Sequence, residues 1–255
     1  MRSLTETARG ITASATWIAG IPFANAKVAY VASTKTEGRA IMVRHCQRFL
    51  DTCRINVEGR GDLPLPGPGC VLCHNESSFP DLRADMVTML DHTDCAAAAD
   101  IYRFFPFARG CFARIDFDMV QRGNRRATEA LMLKNVERLR RGDRVIWGGE
   151  GRLSGIDGIR RFKIGAGLVA IRAQVPVIPV AVHGGHHTMP LKSLRARCGT
   201  IRIRLGAPVA TIGLREEDAR DFADQLHQRV AQMYDELAAE AATASAAPEP
   251  SRLPS

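Results

Sequence analysis

Polar side chains able to move protons or hold anions gather at four places in the chain. His74 is followed by Asn75-Glu76-Ser77-Ser78-Phe79-Pro80-Asp81, and Arg122-Gly123-Asn124 comes next. Gly148-Gly149-Glu150-Gly151-Arg152-Leu153-Ser154 and His183-Gly184-Gly185-His186-His187 complete the set. Imidazoles and carboxylates near one another suit general acid–base work. Arginine offers a planar fork that fits phosphate oxygens. Each cluster follows an apolar or alternating run that reads as a strand, and α/β proteins usually build their sites at strand ends.

Three short motifs point elsewhere and are set aside. Cys70-Val71-Leu72-Cys73-His74 matches a c-type haem attachment site letter for letter. Such haem belongs to exported proteins, however, and Met1 to Gly20 has no compact apolar segment behind a basic start. The two cysteines read instead as small hydrophobes of a buried strand. His183 to His187 offers three imidazoles from one tight loop with no carboxylate or cysteine partner, so no metal site is expected. The Gly148–Ser154 loop lacks the Gly-Lys-Ser/Thr end of a phosphate-cradling P-loop.

The 255 residues are 45% hydrophobic, enough for one large domain with a core. A net charge of +8 and a pI near 9.4 favour anionic partners: nucleic acid, acidic lipid headgroups or phosphorylated substrates. Seven cysteines, an odd number without repeated spacing, argue against a disulfide framework and for a reducing compartment. Pro22, Asn25 and Lys27 interrupt the Ala-rich segment 11–33, so no transmembrane span is expected, while a helix on a membrane surface remains open.

The elements that must position the clusters follow from periodicity. Residues 1–54 read as a helical, membrane-apposed lead, and 55–212 as an α/β core. Residues 213–243 read as a C-terminal amphipathic helix packed on that core, and 244–255 as a disordered tail. Within the core, strands are expected at 55–59, 70–73, 86–90, 115–117, 145–147, 175–182 and 200–208. Helices are expected from about 96 to Pro106, from Asn124 or Thr128 to about Arg140, and over 164–174.

Taken in order, the clusters resemble the motif blocks of the glycerophospholipid (lysophospholipid) acyltransferases, from Ile55 to about Pro208. The first block of that family reads Asn-His-x-Ser-Phe/Trp-x-Asp, met here by Asn75 to Asp81. The second ends in an Arg, met by Arg122. The third reads Phe-Pro-Glu-Gly, met by Gly148 to Gly151, with Phe162-Lys163-x-Gly165 behind it. The fourth is a Val-Pro-Val-x-Pro-Val strand, met by Val175 to Val180. The resemblance implies a single α/β domain with a mostly parallel central sheet flanked by helices. It also implies acyl transfer from acyl-CoA or acyl-carrier protein to the hydroxyl of a lysophospholipid such as lysophosphatidic acid. No cofactor beyond that co-substrate is implied, and no nucleic acid. Work at the cytoplasmic face of a membrane, peripheral or monotopic and on an anionic surface, follows from the substrates.

By the same resemblance, a His of the first block is the base and the block's Asp orients it. Arg122 binds the acceptor's phosphate, and Glu150, Gly151 and Arg152 complete the acceptor site. Two departures stand out: Glu76 occupies the position of the His, and Gly148-Gly149 that of Phe-Pro. The glycines are expected to change only the shape of the loop. For the base, three options stay open. Glu76 takes the role with Asp81 kept as a hydrogen-bonding partner; or His74, on the same strand face, supplies the imidazole; or the site is inactive and the protein only binds lipid.

Overall fold

A computed structural model of the chain describes residues 2–60, 69–121 and 123–246. Two long helices lead: α1 (Arg2–Tyr30) and α2 (Lys35–Cys53). The Thr34 hydroxyl caps α2 by accepting from the Glu37 N–H, and Glu37 returns a carboxylate to the Ser33 N–H. Then follow β1 (Ile55–Arg60), β2 (Cys70–His74), α3 (Phe79–Met89), β3 (Cys95–Ala99), α4 (Ala108–Ile115) and β4 (Phe117–Val120). The chain continues through α5 (Arg125–Arg140), β5 (Arg144–Gly148), α6 (Gly165–Ala173), β6 (Val177–His183), a short α7 (Gly185–Thr188), β7 (Gly199–Leu205) and α8 (Ala219–Ala246).

Seven strands form one sheet in the order β1-β7-β6-β2-β5-β3-β4. Every neighbouring pair is parallel except β6 with β7. The expected α/β class and mostly parallel sheet are therefore what the molecule has. All residues of β2 and β6 are buried, as strands covered on both faces by helices require. On one face, Val71, Cys73, Val145, Val177 and Ala181 pack against α5, α6 and α8, with Phe222, Leu226, Val230 and Leu237 supplying the stripe of α8. On the other, Leu72, Ile178, Val180, Ile201 and Ile203 pack against Phe49 and Leu50 of α2 and Ala84 and Met89 of α3.

Two expectations within the core are corrected. Residues 86–90 are not a strand: Met86 to Met89 close α3, and Leu90 begins a 3₁₀ turn. The apolar run is short, and the capping sequence from Ser78 to Asp81 starts a helix that reaches through it. The segment expected as a helix from residue 96 is helical only as a 3₁₀ turn over Asp100–Phe104, and its start is a strand. That strand is β3, inserted between β5 and β4, where sheet position overrides the helix propensity of four consecutive alanines. Ile115 ends α4, leaving Phe117 to open β4. At the C-terminus α8 runs to Ala246, three residues beyond its expected end; the rest of the expected tail lies outside the described residues.

The leading helices dock onto the α3 face. Arg83 of α3 is buried with its guanidinium 4.3 Å from the Trp17 ring of α1. Phe49 of α2 and Phe79 of α3 lie at 5.2 and 5.3 Å, so the cation sits in a three-sided aromatic cage. The outer side of α1 exposes large apolar residues among polar ones, with Leu4, Ile11 and Ile18 on one line and Phe23 and Tyr30 beside it, each about half or more exposed. No helix among the described residues is long and apolar enough to cross a membrane.

Candidate active site

Strand alternation decides what His74 meets. Along β2, Cys70, Leu72 and His74 face the layer holding α2 and α3. There His74 Nδ1 lies 3.0 Å from Asp85 Oδ2 of α3, and His74 Nε2 lies 3.5 Å from Glu76 Oε1. The first contact is not a linear hydrogen bond; it is a close ion pair. The His74 and Asp85 side chains are each 6% exposed and that of Glu76 16%, so Glu76 is the outward member. Burial alone would lower the pKa of His74, but the carboxylates of Asp85 and then Glu76 outweigh it and raise it to about 9. At neutral pH the ring is an imidazolium between two carboxylates.

Asp81, one turn before Asp85, meets the start of its own helix. Its Oδ2 accepts from the Ser77 and Ser78 N–H groups, each at 2.9 Å, and from Ser77 Oγ at 2.6 Å. Burial pushes its pKa up to about 6 against those hydrogen bonds. Asn75 is fully buried and stands in for a strand rung. Its Nδ2 donates to the Val182 carbonyl at 2.9 Å, and its Oδ1 accepts from the Val182 N–H at 2.8 Å.

Glu150 ties the third cluster to the first. Its Oε2 accepts from the Glu76 N–H at 2.8 Å and its Oε1 from the Arg160 N–H at 2.6 Å, and burial pushes it up to about 7 against these bonds. Backbone bonds extend the seam: the Gly149 N–H donates to the His74 carbonyl, Ser154 to Glu76 and Gly155 to Ser77. Gly151 turns the loop at φ +69°, in the left-handed region, and Arg152 is exposed beside it. Arg122 lies outside the described residues.

The motifs set aside have plain structural roles. Cys70 and Cys73 are buried free thiols of β2, with burial pushing the Cys70 thiol up to about 11 and that of Cys73 higher still. His183 is buried against the rings of Tyr234 and His187, while His187 Nε2 pairs with Asp157 Oδ1 at 3.1 Å. Among the described residues no three His, Cys, Asp or Glu side chains converge as metal ligands.

The first, third and fourth clusters follow β2, β5 and β6, which end side by side, on a chain whose residues 54–183 match the family model described as Acyltransferase. The match covers just over half of the chain. The chain belongs to the acyltransferase family. The 1-acyl-sn-glycerol-3-phosphate acyltransferase alpha of Ovis aries is 24% identical over 200 residues, 77% of this chain and 68% of that protein. The protein of the same name from Bos taurus is 30% identical over 76 residues, 30% of this chain and 26% of that protein. The crystal structure of the 1-acyl-sn-glycerophosphate (LPA) acyltransferase PlsC from Thermotoga maritima covers 94% of this chain and 98% of its own, with a TM-score of 0.73 and 20% identity. That likeness establishes the fold.

In this acyltransferase the two departures from the family pattern are one device. A Cβ on Gly148 would sit 2.6 Å from Glu76 Oε1, and one on Gly149 would sit 2.6 Å from the Phe162 ring. Neither glycine has a positive φ, so they provide space, not conformational freedom, and the expectation of a mere change in loop shape is corrected. Gly148→Ala is expected to push the Glu76 carboxylate away from His74 at little cost to folding, because the clash falls on the end of a flexible side chain. The measured rate of acyl transfer should drop roughly 10-fold or more while the denaturation midpoint stays within about 0.5 kcal/mol of wild type. An unchanged rate would show that the Glu76 position does not matter.

Asp85 was absent from the sequence reading. Ser78-Phe-Pro-Asp81 is a capping sequence with Pro in the first turn, which starts a helix at residue 79. A helix starting there carries Asp85 on the same face as Asp81, and that signal was available in the residues alone.

Proposed function

We propose that this acyltransferase moves a fatty acyl group from a thioester, acyl-CoA or acyl-carrier protein, to the hydroxyl of a lysophosphatidic-acid-like lysophospholipid. The observation that carries the reading is the Glu76 carboxylate held at the end of β2 with the His74 imidazolium behind it. Glu76 takes the proton of the acceptor hydroxyl, which attacks the thioester carbon directly. His74, already protonated and nearly enclosed, is the poorer candidate for that task. Two nearby nucleophiles are poorly placed to compete: Ser77 Oγ is buried and committed to Asp81, and the Cys73 thiol is buried with its pKa raised. Asp81 and Glu150 shape the loops, Gly151 and Arg152 border the acceptor, and Arg122 is assigned its phosphate by the motif pattern. No cofactor beyond the acyl donor is required.

The names of the relatives support this acceptor class. The exposed apolar side chains of α1 and the positive net charge suit a protein lying on an anionic membrane surface, at the cytoplasmic face where acyl thioesters are made available. The test is thiol release across acyl-CoA and acyl-carrier-protein donors with a panel of lyso-acceptors. Release that depends on a lysophospholipid supports the reading. Lysophospholipid binding with no thioester consumed from any donor overturns it in favour of a lipid-binding protein on the same fold.

A further inference from the structure

We propose that Asp85 is a positioning residue for acyl transfer: it anchors the His74 ring against Glu76, so that a carboxylate–imidazole–carboxylate chain replaces the family's His–Asp pair. This inference rests on the acyl-transfer reading above. Asp81 and Asp85 stand one turn apart on α3, and both are buried, yet they are used differently. Asp81 gathers N–H and O–H donors at its helix terminus, as a structural carboxylate does. Among the described residues Asp85 gathers no comparable set of donors, and its Oδ2 faces one imidazole at 3.0 Å. A buried carboxylate with a single cationic neighbour is costly unless that neighbour stays charged. The two carboxylates meet opposite nitrogens of one ring: Asp85 Oδ2 beside His74 Nδ1, and Glu76 Oε1 beside His74 Nε2.

The other charged or titratable groups around His74 do not supply a rival anchor. Glu150, on the loop after β5, spends both oxygens on the N–H groups of Glu76 and Arg160. Cys73 on the same strand points to the opposite face of the sheet, among α5, α6 and α8. Asp81 lies near Asp85 but is held by Ser77 and Ser78.

In the step itself the acceptor O–H proton passes to Glu76 as the new C–O bond forms. The C–S bond breaks, and the proton passes from Glu76 to the departing thiolate. His74 keeps its proton throughout and balances the charge that Glu76 carries before and after the step. Asp85 keeps His74 protonated and its ring turned towards Glu76.

The experiment compares wild type, Asp85→Asn and Asp85→Glu by kcat and KM against pH, alongside ¹⁵N NMR titration of the histidines. In wild type, kcat should fall on the alkaline side near pH 9, with His74 titrating there. In Asp85→Asn that limb and the His74 titration should move down towards the ordinary histidine range. At neutral pH, kcat should fall about 100-fold with KM for the acceptor changed less than about 3-fold. Asp85→Glu, which keeps the charge, should retain the high His74 titration and recover part of the rate; it also decides the matter if the Asn variant does not fold. An Asn variant with the wild-type pH limb and His74 titration overturns the proposal, as does an effect confined to KM. A wild-type protein that releases no thiol overturns the acyl-transfer reading instead, and the His74 titration then still decides whether Asp85 is its anchor.

Discussion

Glu76→Gln is expected to lower acyl transfer by about 1,000-fold or more, the range that a single general base contributes, without loss of fold. The amide matches the carboxylate in shape, so it fits the space left by Gly148 and leaves the His74–Asp85 pair in place. What disappears is the acceptor for the proton. His74→Ala should behave differently, because it strands the buried Asp85 charge. Breaking a buried pair in this way costs roughly 3–5 kcal/mol, so rate and stability should fall together. Thiol release measured beside urea denaturation separates the two. A Glu76→Gln protein within about 10-fold of the wild-type rate would remove Glu76 from the chemistry, and a Gln variant that is itself unstable would mean the carboxylate is structural.

The same pair fixes the sign of a stability effect. His74 has a folded pKa of about 9, above its ordinary value near 6.5. Its contribution to stability is therefore complete below pH ~6.5 and is lost as pH rises through about 9. Alkaline denaturation and the alkaline loss of rate should share this origin.

The largest structural effect is expected at a residue outside the reacting chain. A Cβ on Gly185 would lie 1.7 Å from Asp81 Oδ1 and 2.6 Å from Ser78 Oγ. Unlike Glu76 beside Gly148, Asp81 cannot swing aside, since it is fully buried and held by Ser77 and Ser78. Gly185→Ala must therefore displace either the cap of α3 or the start of α7. Overpacking costs about 1–3 kcal/mol and loss of a cap about 0.5–2. A loss near 3 kcal/mol is expected, lowering the midpoint of thermal unfolding by roughly 6–12 °C in a chain of this size. Acyl transfer should fall with it, because α3 carries Asp85. A Gly185→Ala protein with wild-type Tm would show that the two segments part more easily than their packing implies.

Much of this arrangement was legible in the residues. The buried strands β2 and β6 and the partly buried β5 announce themselves as apolar runs, and α5, α6 and α8 as periodic ones. The polar clusters at their ends mark Glu76 and His74 by residue type and spacing alone. The elements that were misread lie where local signals conflict with position in the sheet. The alanines of β3 favour helix by composition and are strand by placement. The apolar end of α3 is too short to show its period. That second misreading hid Asp85, whose importance depends on sitting four residues after Asp81 on a helix. The fit between Glu76 and Gly148 was hidden for another reason: it is a contact between residues far apart in sequence, and each looks like an isolated oddity until the loops are folded together.

That fit also constrains the order in which substitutions accumulate. If a chain with a bulky residue at position 148 acquired Glu at 76 first, the new carboxylate would meet a side chain already filling its place. Glycine arriving first would leave only a vacancy, a milder defect that a later Glu76 could occupy. The accessible path to this pair therefore runs through glycine, and exchanging Glu76 for a smaller side chain would leave that space unfilled. The pair works as a ratchet, each residue making the other harder to lose.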